Sequence, residues 1–450
     1  MFYLSRGNAN HLMLIDIIHL GRIPLKKGFN STGMKADKRS VLLNPNHDWT
    51  TSLHQGPQDI GFDTSLMTLT GIQAPPYAFF RNGFLENNHS NITFWNKGEY
   101  PMLSGTSIVD YSGEGSIDWD SSGYNMVLVN ETEKFLNAYL TNMSKKNETD
   151  YQPFFGYVAL GNVHVPHSPP SYYLDGSIVS GYYPSGHLDV LREMDLTVGA
   201  LIKILEDKNL IDNTIVIFTS DNGGLASNGN TRVTSAKYGH NSSGHLRGSK
   251  GQIYEGGHRV PLVMRWDGGI PKAERRSHFV GLNDIFATLC KLVGIDVPIG
   301  QAIDSVSFAD YLINENKRDN LRKSLGIWRM FKHEFQAESI RMGRYKLIRD
   351  RANGNLQLYN LRDDISETNN LILDQKYESI VKIMLERLIE IGPCYENKAP
   401  FEVENMIDGN TNIVNCTWFR LKKKNCQVYP EASIQCKLTC LQQNADLCSH

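Results

Sequence analysis

The spacing of apolar positions changes near residue 150 and divides the chain. Residues 1–150 are rich in Gly, Asn and Ser and show little periodicity. Beyond them, strand and helix patterns alternate. Pro153–Leu160 (PFFGYVAL) is a short apolar run, which predicts a buried strand. Leu188, Leu191, Met194, Val198, Leu201, Ile202 and Leu205 recur at helical spacing, so one face of a helix carries them. Asn213–Phe218 (NTIVIF) is β-branched and apolar, which predicts a second buried strand, and Pro261–Trp266 (PLVMRW) predicts another. Asp284–Val293 reads as a helix stopped by Gly294, with Pro298 beyond. This alternation predicts an α/β fold, with a mainly parallel central sheet flanked by helices. In such sheets the chemistry collects beyond the C-terminal ends of the strands.

The texture changes after residue 300. Arg341–Arg349 and Asn355–Leu361 read as a hairpin-like pair around Ala352-Asn353-Gly354. A helix over about 375–391 follows, with Ile380, Ile383, Met384, Leu388 and Ile391 on one face. The expected division is an α/β domain over 1–300, a smaller C-terminal α+β subdomain over 301–392, and a cysteine-rich tail over 393–450. No internal repeat is visible.

Composition narrows the class. The chain has 450 residues, 46 Lys and Arg against 48 Asp and Glu, and a net charge of -2. That balance gives no electrostatic case for nucleic acid or an anionic membrane surface. No apolar run reaches the roughly 18 to 20 residues of a membrane span. Leu12–Leu20 is interrupted by Asp16 and has no small-residue cleavage site behind it, so it makes a poor signal peptide.

Six of the seven cysteines (Cys394, Cys416, Cys426, Cys436, Cys440 and Cys448) crowd the tail. An even set at this density reads as a disulfide framework. Zinc is the competing reading, but no CxxC pair is present and His450 is the tail's only histidine. Cys290, in an apolar segment, reads as a buried free thiol. Eight N-x-S/T sequons occur, at Asn30, Asn88, Asn91, Asn130, Asn142, Asn147, Asn241 and Asn415. Sequons and cysteines together point to the secretory pathway, extracellular or lysosome-like. A secreted body without a signal peptide implies an N-terminal segment missing ahead of residue 1. Nothing in the sequence specifies an oligomeric state.

Four places could carry chemistry. Thr219-Ser220-Asp221-Asn222-Gly223-Gly224 follows NTIVIF directly. A carboxylate beside an amide carbonyl offers two hard oxygens to Ca²⁺ or Mg²⁺, although Asp-Asn-Gly-Gly is also strong turn chemistry. His164, after PFFGYVAL, falls on the same sheet edge and could protonate a leaving group; alone, it is as compatible with a surface loop. Arg247-Gly248-Ser249-Lys250 and Glu255-Gly256-Gly257-His258-Arg259-Val260-Pro261 combine glycines for close backbone approach with Lys250 and Arg259 to hold an anion. The alternative there is a Gly-rich solvent loop. His19, in His19-Leu20-Gly21, carries no meaning alone.

In this order, the segments resemble the sulfatase family of the alkaline phosphatase superfamily. The resemblance rests on His164-Val165-Pro166, Asp195 within a helix, Thr219 to Gly223, Arg247 to Lys250 and Glu255 to Pro261. Farther on it includes Tyr345-Lys346-Leu347, Leu358-Tyr359-Asn360-Leu361 and Glu367 to Asn370. Gly61-Phe62-Asp63 and Pro75-Pro76-Tyr77 are similar to secreted arylsulfatases. The resemblance implies an alkaline-phosphatase-like fold and hydrolysis of a sulfate ester, on a sulfated carbohydrate or an aryl sulfate. It implies that Asp221 and Asn222 bind the metal (Ca²⁺, or Mg²⁺), that Lys250 holds a sulfate oxygen and that His164 sits by the leaving group. His19 would match the histidine of a G-K-W-H-L-G motif, but Ile17 and Ile18 stand where that motif has Lys and Trp.

The family's nucleophile is a formylglycine made from Cys or Ser in C/S-x-P-x-R. No cysteine or serine of this sequence lies in that setting, and the Asp pair expected after the first strand is absent too. Asp221 and Asn222 supply only part of the six to eight oxygens Ca²⁺ takes. As given, the chain is therefore expected to be inactive and to bind metal poorly. Two alternatives stay open: a non-catalytic, glycan-binding pseudo-sulfatase, for which Trp418 and Phe419 could stack on sugar, and a phosphoryl or phosphonate ester hydrolase of the same superfamily.

Overall fold

The computed structural model describes residues 11–17, 56–86, 91–98, 108–147, 152–226, 234–272, 274–314, 316, 322–331 and 334–392. The predicted cysteine-rich tail lies outside them. The described chain forms two compact units. One runs through Gly251 and again from Gly256 to Arg322; the other takes in Gln252–Glu255 and continues from Lys323.

The first unit is built on four strands: β1 (His11–Ile17), β2 (Phe155–Ala159), β3 (Thr214–Ser220) and β4 (Leu262–Arg265), in the order β2-β1-β3-β4. β1 pairs parallel with both β2 and β3, Leu14 lying between Tyr157 and Ile217. β4 runs antiparallel to β3. The sheet is mainly parallel, as the alternating pattern predicts.

Both faces of β3 are covered, which is why NTIVIF is apolar throughout rather than alternating. Val216 faces a core that holds Met13, Val158, Leu128 and Leu136 of α1 (Tyr124–Met143), and Leu201 and Leu205 of α2 (Gly186–Asp207). Ile215 and Ile217 face the other side, with Trp266, Leu292 of α3 (Ile285–Leu292), and Ala309 and Leu312 of α4 (Ala309–Ile313). The two-residue period of a strand splits one sequence run between two cores. Each fully buried Leu or Ile contributes roughly 1.5–3 kcal/mol.

Two expectations need correction here. PFFGYVAL forms a strand, but an edge one among the described strands, so only Val158 of β2 is buried and Phe155 is exposed. The buried face of α2 is also rotated from the apolar stripe. Asp189, Val190, Glu193, Thr197 and Leu201 are buried, whereas Leu191 is exposed. Remote partners hold the buried polar groups: Asn125 donates to Glu193 (3.0 Å), and Tyr173 donates to Thr197 (3.1 Å). Asp195, the helix aspartate of the resemblance, is exposed. Cys290 is free and buried, as expected.

The first unit ends at Arg322 rather than near residue 300. Asp284 explains the extension. Its buried carboxylate accepts from the backbone N–H of Gly281 and Val306 (2.8 Å each) and from Arg322 Nε (2.8 Å).

The second unit is an antiparallel sheet of β5 (Ser324–Phe331), β6 (Glu334–Met342), β7 (Tyr345–Asp350) and β8 (Leu356–Asn360), in sequence order. α5 (Glu378–Ile391) packs Val381, Met384, Leu385 and Leu388 on Ile340, Leu347 and Leu358. The predicted hairpin is β7–β8. Arg341 and Met342 belong instead to the preceding strand, because Gly343, at φ 54°, turns the chain between them and β7. Inside this unit Lys346 is 1% exposed and lies between Glu255 (3.0 Å) and Glu367 (2.8 Å). Glu367 also accepts the Glu255 backbone N–H (2.7 Å). No described helix is long and apolar enough to cross a membrane.

Candidate active site

β3 delivers Ser220 to the C-terminal sheet edge, and Asp221-Asn222-Gly223-Gly224 follow at once. This turn is stitched to the glycine-rich segment by backbone bonds. Gly223 N–H donates to Gly257 (2.9 Å), Lys250 N–H to Gly224 (2.7 Å) and Gly256 N–H to Arg247 (2.7 Å). The approach is too close for side chains. A Cβ on Gly223 would run into the Gly256 carbonyl, and one on Gly256 into that of Gly248. The glycines thus fix Lys250 relative to Asp221. Thr219 Oγ1 adds a bond to the Pro261 carbonyl (2.9 Å).

His164 reaches the same edge from β2. Its loop is positioned by a buried polar network. Asn125 accepts the Gly161 N–H (3.0 Å) with its carbonyl and donates its amide to Glu193, while Asn162 donates to the Val190 carbonyl (2.9 Å). Burial pushes the Glu193 carboxyl up to about 7, against the bonds from Asn125 and Asn162. His164 Nδ1 lies 2.8 Å from the Val165 carbonyl. Opposite a carbonyl that nitrogen carries the hydrogen.

A cavity of about 350 Å³ gathers these groups. Its lining includes His164, Asp221, Asn222, Lys250 and Arg259. Five of the six residues singled out from sequence are therefore brought together; His19 lies outside the described residues. Asp221 and Arg259 are exposed, and Asn222, His164 and Lys250 are half-buried. Neither Asp221 nor Lys250 makes an ion pair among the described residues.

The cavity also holds residues the sequence did not flag. His187, in the first turn of α2, and His240 both line it. His187 Nδ1 is 2.6 Å from Ser235 Oγ, and its ring stacks on His167 with centroids 4.6 Å apart. His240 meets it edge-on at 5.7 Å. Burial first, then the His240 charge, pushes His187 down to about 4, so it is a neutral imidazole at neutral pH. These histidines are scattered in sequence and sit in no motif, so no local signal marks them.

The donor set suits a hard cation in kind. Asn222 spends its amide nitrogen on the Gly223 carbonyl (3.1 Å), its side-chain oxygen is a hard donor like the Asp221 carboxylate, and both residues line the cavity. The number is small: among the described residues no group of three or more His, Cys, Asp or Glu is arranged to hold a metal.

The profile of the sulfatase family matches residues 45–295, and that of the N-sulphoglucosamine sulphohydrolase C-terminal region matches 247–392. An N-acetylgalactosamine-6-O-sulfatase of Bacteroides thetaiotaomicron is 27% identical over 397 residues, covering 81% of this chain and 75% of the relative. The N-acetylgalactosamine-6-sulfatase of Sus scrofa is 32% identical over 177 residues, covering 39% of this chain and 31% of the relative. A Formosa agariphila sulfatase is 28% identical, covering 55% of this chain, and the match spans 46% of that relative's length.

Among solved structures, a Bacteroides thetaiotaomicron protein from a study of glycosaminoglycan metabolism superposes with a TM-score of 0.63 at 23% identity, covering 85% of this chain and 79% of the other. The i-CgsB protein in complex with k-i-k-neocarrahexaose gives 0.53 at 20% identity, covering 85% and 71%. These two establish the alkaline-phosphatase-like α/β fold. With the sulfatase profile matching more than half of its residues, the chain belongs to the sulfatase family and is by family a sulfuric ester hydrolase.

Proposed function

We propose that the cavity binds the sulfate ester of a sulfated glycan and supports its hydrolysis. The observation that carries this reading is the convergence of Lys250, Arg259, His164, Asp221 and Asn222 on one cavity at the strand ends. Lys250 and Arg259 take non-bridging sulfate oxygens. His164 lines the same cavity and would protonate the departing alcohol oxygen as a water molecule bonds to the sulfur and the S–O ester bond breaks. Asp221 and Asn222 would contribute two oxygen ligands to a divalent cation, Ca²⁺ or Mg²⁺, which would supply positive charge against the sulfate oxygens. The glycan assignment follows the relatives named for N-acetylgalactosamine 6-sulfate.

The reading includes passage through the secretory pathway. Five sequon asparagines fall in the described residues (Asn91, Asn130, Asn142, Asn147 and Asn241), and all are exposed, as glycan attachment requires. A mobility shift on deglycosylation of the secreted chain tests this.

A second reading has its own observation. No cysteine or serine in the sequence sits in a C/S-x-P-x-R setting, so the residues above bind, orient and protonate without a nucleophile among them. A chain limited to those roles binds sulfated glycan and releases nothing. Incubating the full chain with N-acetylgalactosamine 6-sulfate and Ca²⁺, and assaying free sulfate, separates the two readings. Sulfate release that Lys250→Ala and His164→Ala remove supports hydrolysis. Binding without release supports the second reading. Absence of sulfate-dependent binding sinks both.

A further inference from the structure

We propose that His187 is a specificity-determining residue of the cavity: it presents an Nε2–H donor to an uncharged oxygen, such as a ring hydroxyl, of the sugar that carries the sulfate. The proposal rests on reading the cavity as a sulfated-sugar site, and it separates recognition of the sugar from recognition of the sulfate.

The ring is held in place by its surroundings. His187 stands in the first turn of α2, is 7% exposed and lines the cavity. His167 stacks on it, with centroids 4.6 Å and planes 15° apart, and His240 meets it edge-on. Ser235 is fully buried. Its Oγ lies 2.6 Å from His187 Nδ1, and its carbonyl accepts the His240 N–H (3.3 Å). One buried serine thus ties down both His187 and His240.

The serine also decides the tautomer. Its hydroxyl has no other hydrogen-bond partner among the described residues. If Nδ1 carried the ring hydrogen and donated to Oγ, the hydroxyl hydrogen would be buried without an acceptor, which is unfavourable. With Ser235 O–H donating to Nδ1, both groups are satisfied and the ring hydrogen sits on Nε2. Nε2 makes no hydrogen bond among the described residues, and it is not sealed from solvent. An anchored ring with an unspent N–H at a cavity wall is a preorganised donor.

The donor suits an uncharged oxygen. The groups against the ring are two further imidazoles and a hydroxyl, and no carboxylate bonds to it to favour a charged form. Burial keeps the ring neutral at neutral pH. On the sulfated-sugar reading, Lys250 and Arg259 of the same cavity meet the charge of the sulfate. A neutral N–H adds no charge to theirs, and a sugar hydroxyl is an acceptor it fits.

The test is calorimetric binding of the full chain, with Ca²⁺, to N-acetylgalactosamine 6-sulfate and to methyl sulfate, a sulfate ester without a sugar. His187→Phe keeps a ring against His167 and loses both nitrogens. It should weaken the sulfated sugar about tenfold, as for one lost hydrogen bond, and leave methyl sulfate unchanged. The factor should be the same at pH 5.5 and pH 8, because the ring is neutral at both. His187→Phe/Ser235→Ala also removes the stranded hydroxyl. It should recover the urea midpoint that the single variant loses, but not the sugar affinity. Unchanged sugar affinity in His187→Phe overturns the proposal. So does an equal loss of both ligands, or a loss that grows at pH 5.5, either of which would put His187 on the sulfate. Recovery of sugar affinity in the double variant overturns it as well, since the loss would then come from packing. Lys250→Ala should weaken both ligands. If it changes neither while His187→Phe still weakens the sugar alone, the sulfate reading of the cavity fails and the role of His187 stands. Binding of neither ligand by the wild type sinks both.

Discussion

Each unit gathers charged side chains at a motif, and the two gatherings behave in opposite ways. In the second unit Lys346 is buried between Glu255 and Glu367, and every charge has a partner within hydrogen-bond distance. Burial pushes the Glu367 carboxyl up, and Lys346 pulls it back. In the first unit Asp221 and Lys250 line an open cavity and pair with no described residue. Charges that satisfy one another hold a fold together. Charges held in place by backbone and left unsatisfied are available to a ligand. Both sets fall in family-like motifs, so the motif alone does not tell them apart; burial and pairing do.

The largest expected effect breaks the closed cluster. Lys346→Met removes the cation shared by two buried carboxylates, leaving Arg341, 3.9 Å from Glu255, as the remaining positive charge, and should cost about 3–5 kcal/mol, read as a shift in urea unfolding. An unshifted midpoint would remove the structural role assigned to Lys346. Lys250→Ala should do the reverse. Its unfolding midpoint stays within about 0.5 kcal/mol of wild type, while affinity for a sulfated sugar falls roughly 10- to 100-fold, as for a lost charge-assisted hydrogen bond.

Gly223→Ala sits between the two. Its Cβ meets the Gly256 carbonyl, so about 1–3 kcal/mol of stability and the placement of Lys250 should go together. Stability lost with sulfated-sugar affinity intact would show that the stitch does not position the site.

The remaining test is a pH dependence. The folded Glu193 carboxyl titrates near 7 against an ordinary 4.5, so the native state holds a proton that the unfolded chain has released. This group therefore removes stability as pH rises from 4.5 to 7. Glu193→Gln should raise the urea midpoint at pH 8 more than at pH 5; an equal change at both would contradict the shift. His187 acts in the opposite sense. Its folded value near 4 lies below the ordinary 6.5, so stability is lost as pH falls through that interval.

The legible parts of the sequence were those with local physical signals. NTIVIF reads as a strand because a strand covered on both faces needs no polar alternation, and β3 is covered on both. The Gly294 stop and the Ala352-Asn353-Gly354 turn read directly from backbone chemistry. The face of α2 did not, since Glu193 and Thr197 are buried by partners at Asn125 and Tyr173, far along the chain. In the cavity, Asp221, Asn222, Lys250, Arg259 and His164 stand in motif order and were visible. His187 and His240 were not, because only folding brings the first turn of α2 beside the loop before Lys250.

The central claim is that the cavity's unsatisfied charges serve a sulfate group. Calorimetric titration of the full chain with N-acetylgalactosamine 6-sulfate, beside the unsulfated sugar, tests it most directly. The account predicts binding of the sulfated sugar that Ca²⁺ strengthens and Asp221→Asn weakens, with little binding of the unsulfated one. Equal affinity for the two sugars, indifferent to Ca²⁺ and to Asp221→Asn, would contradict it.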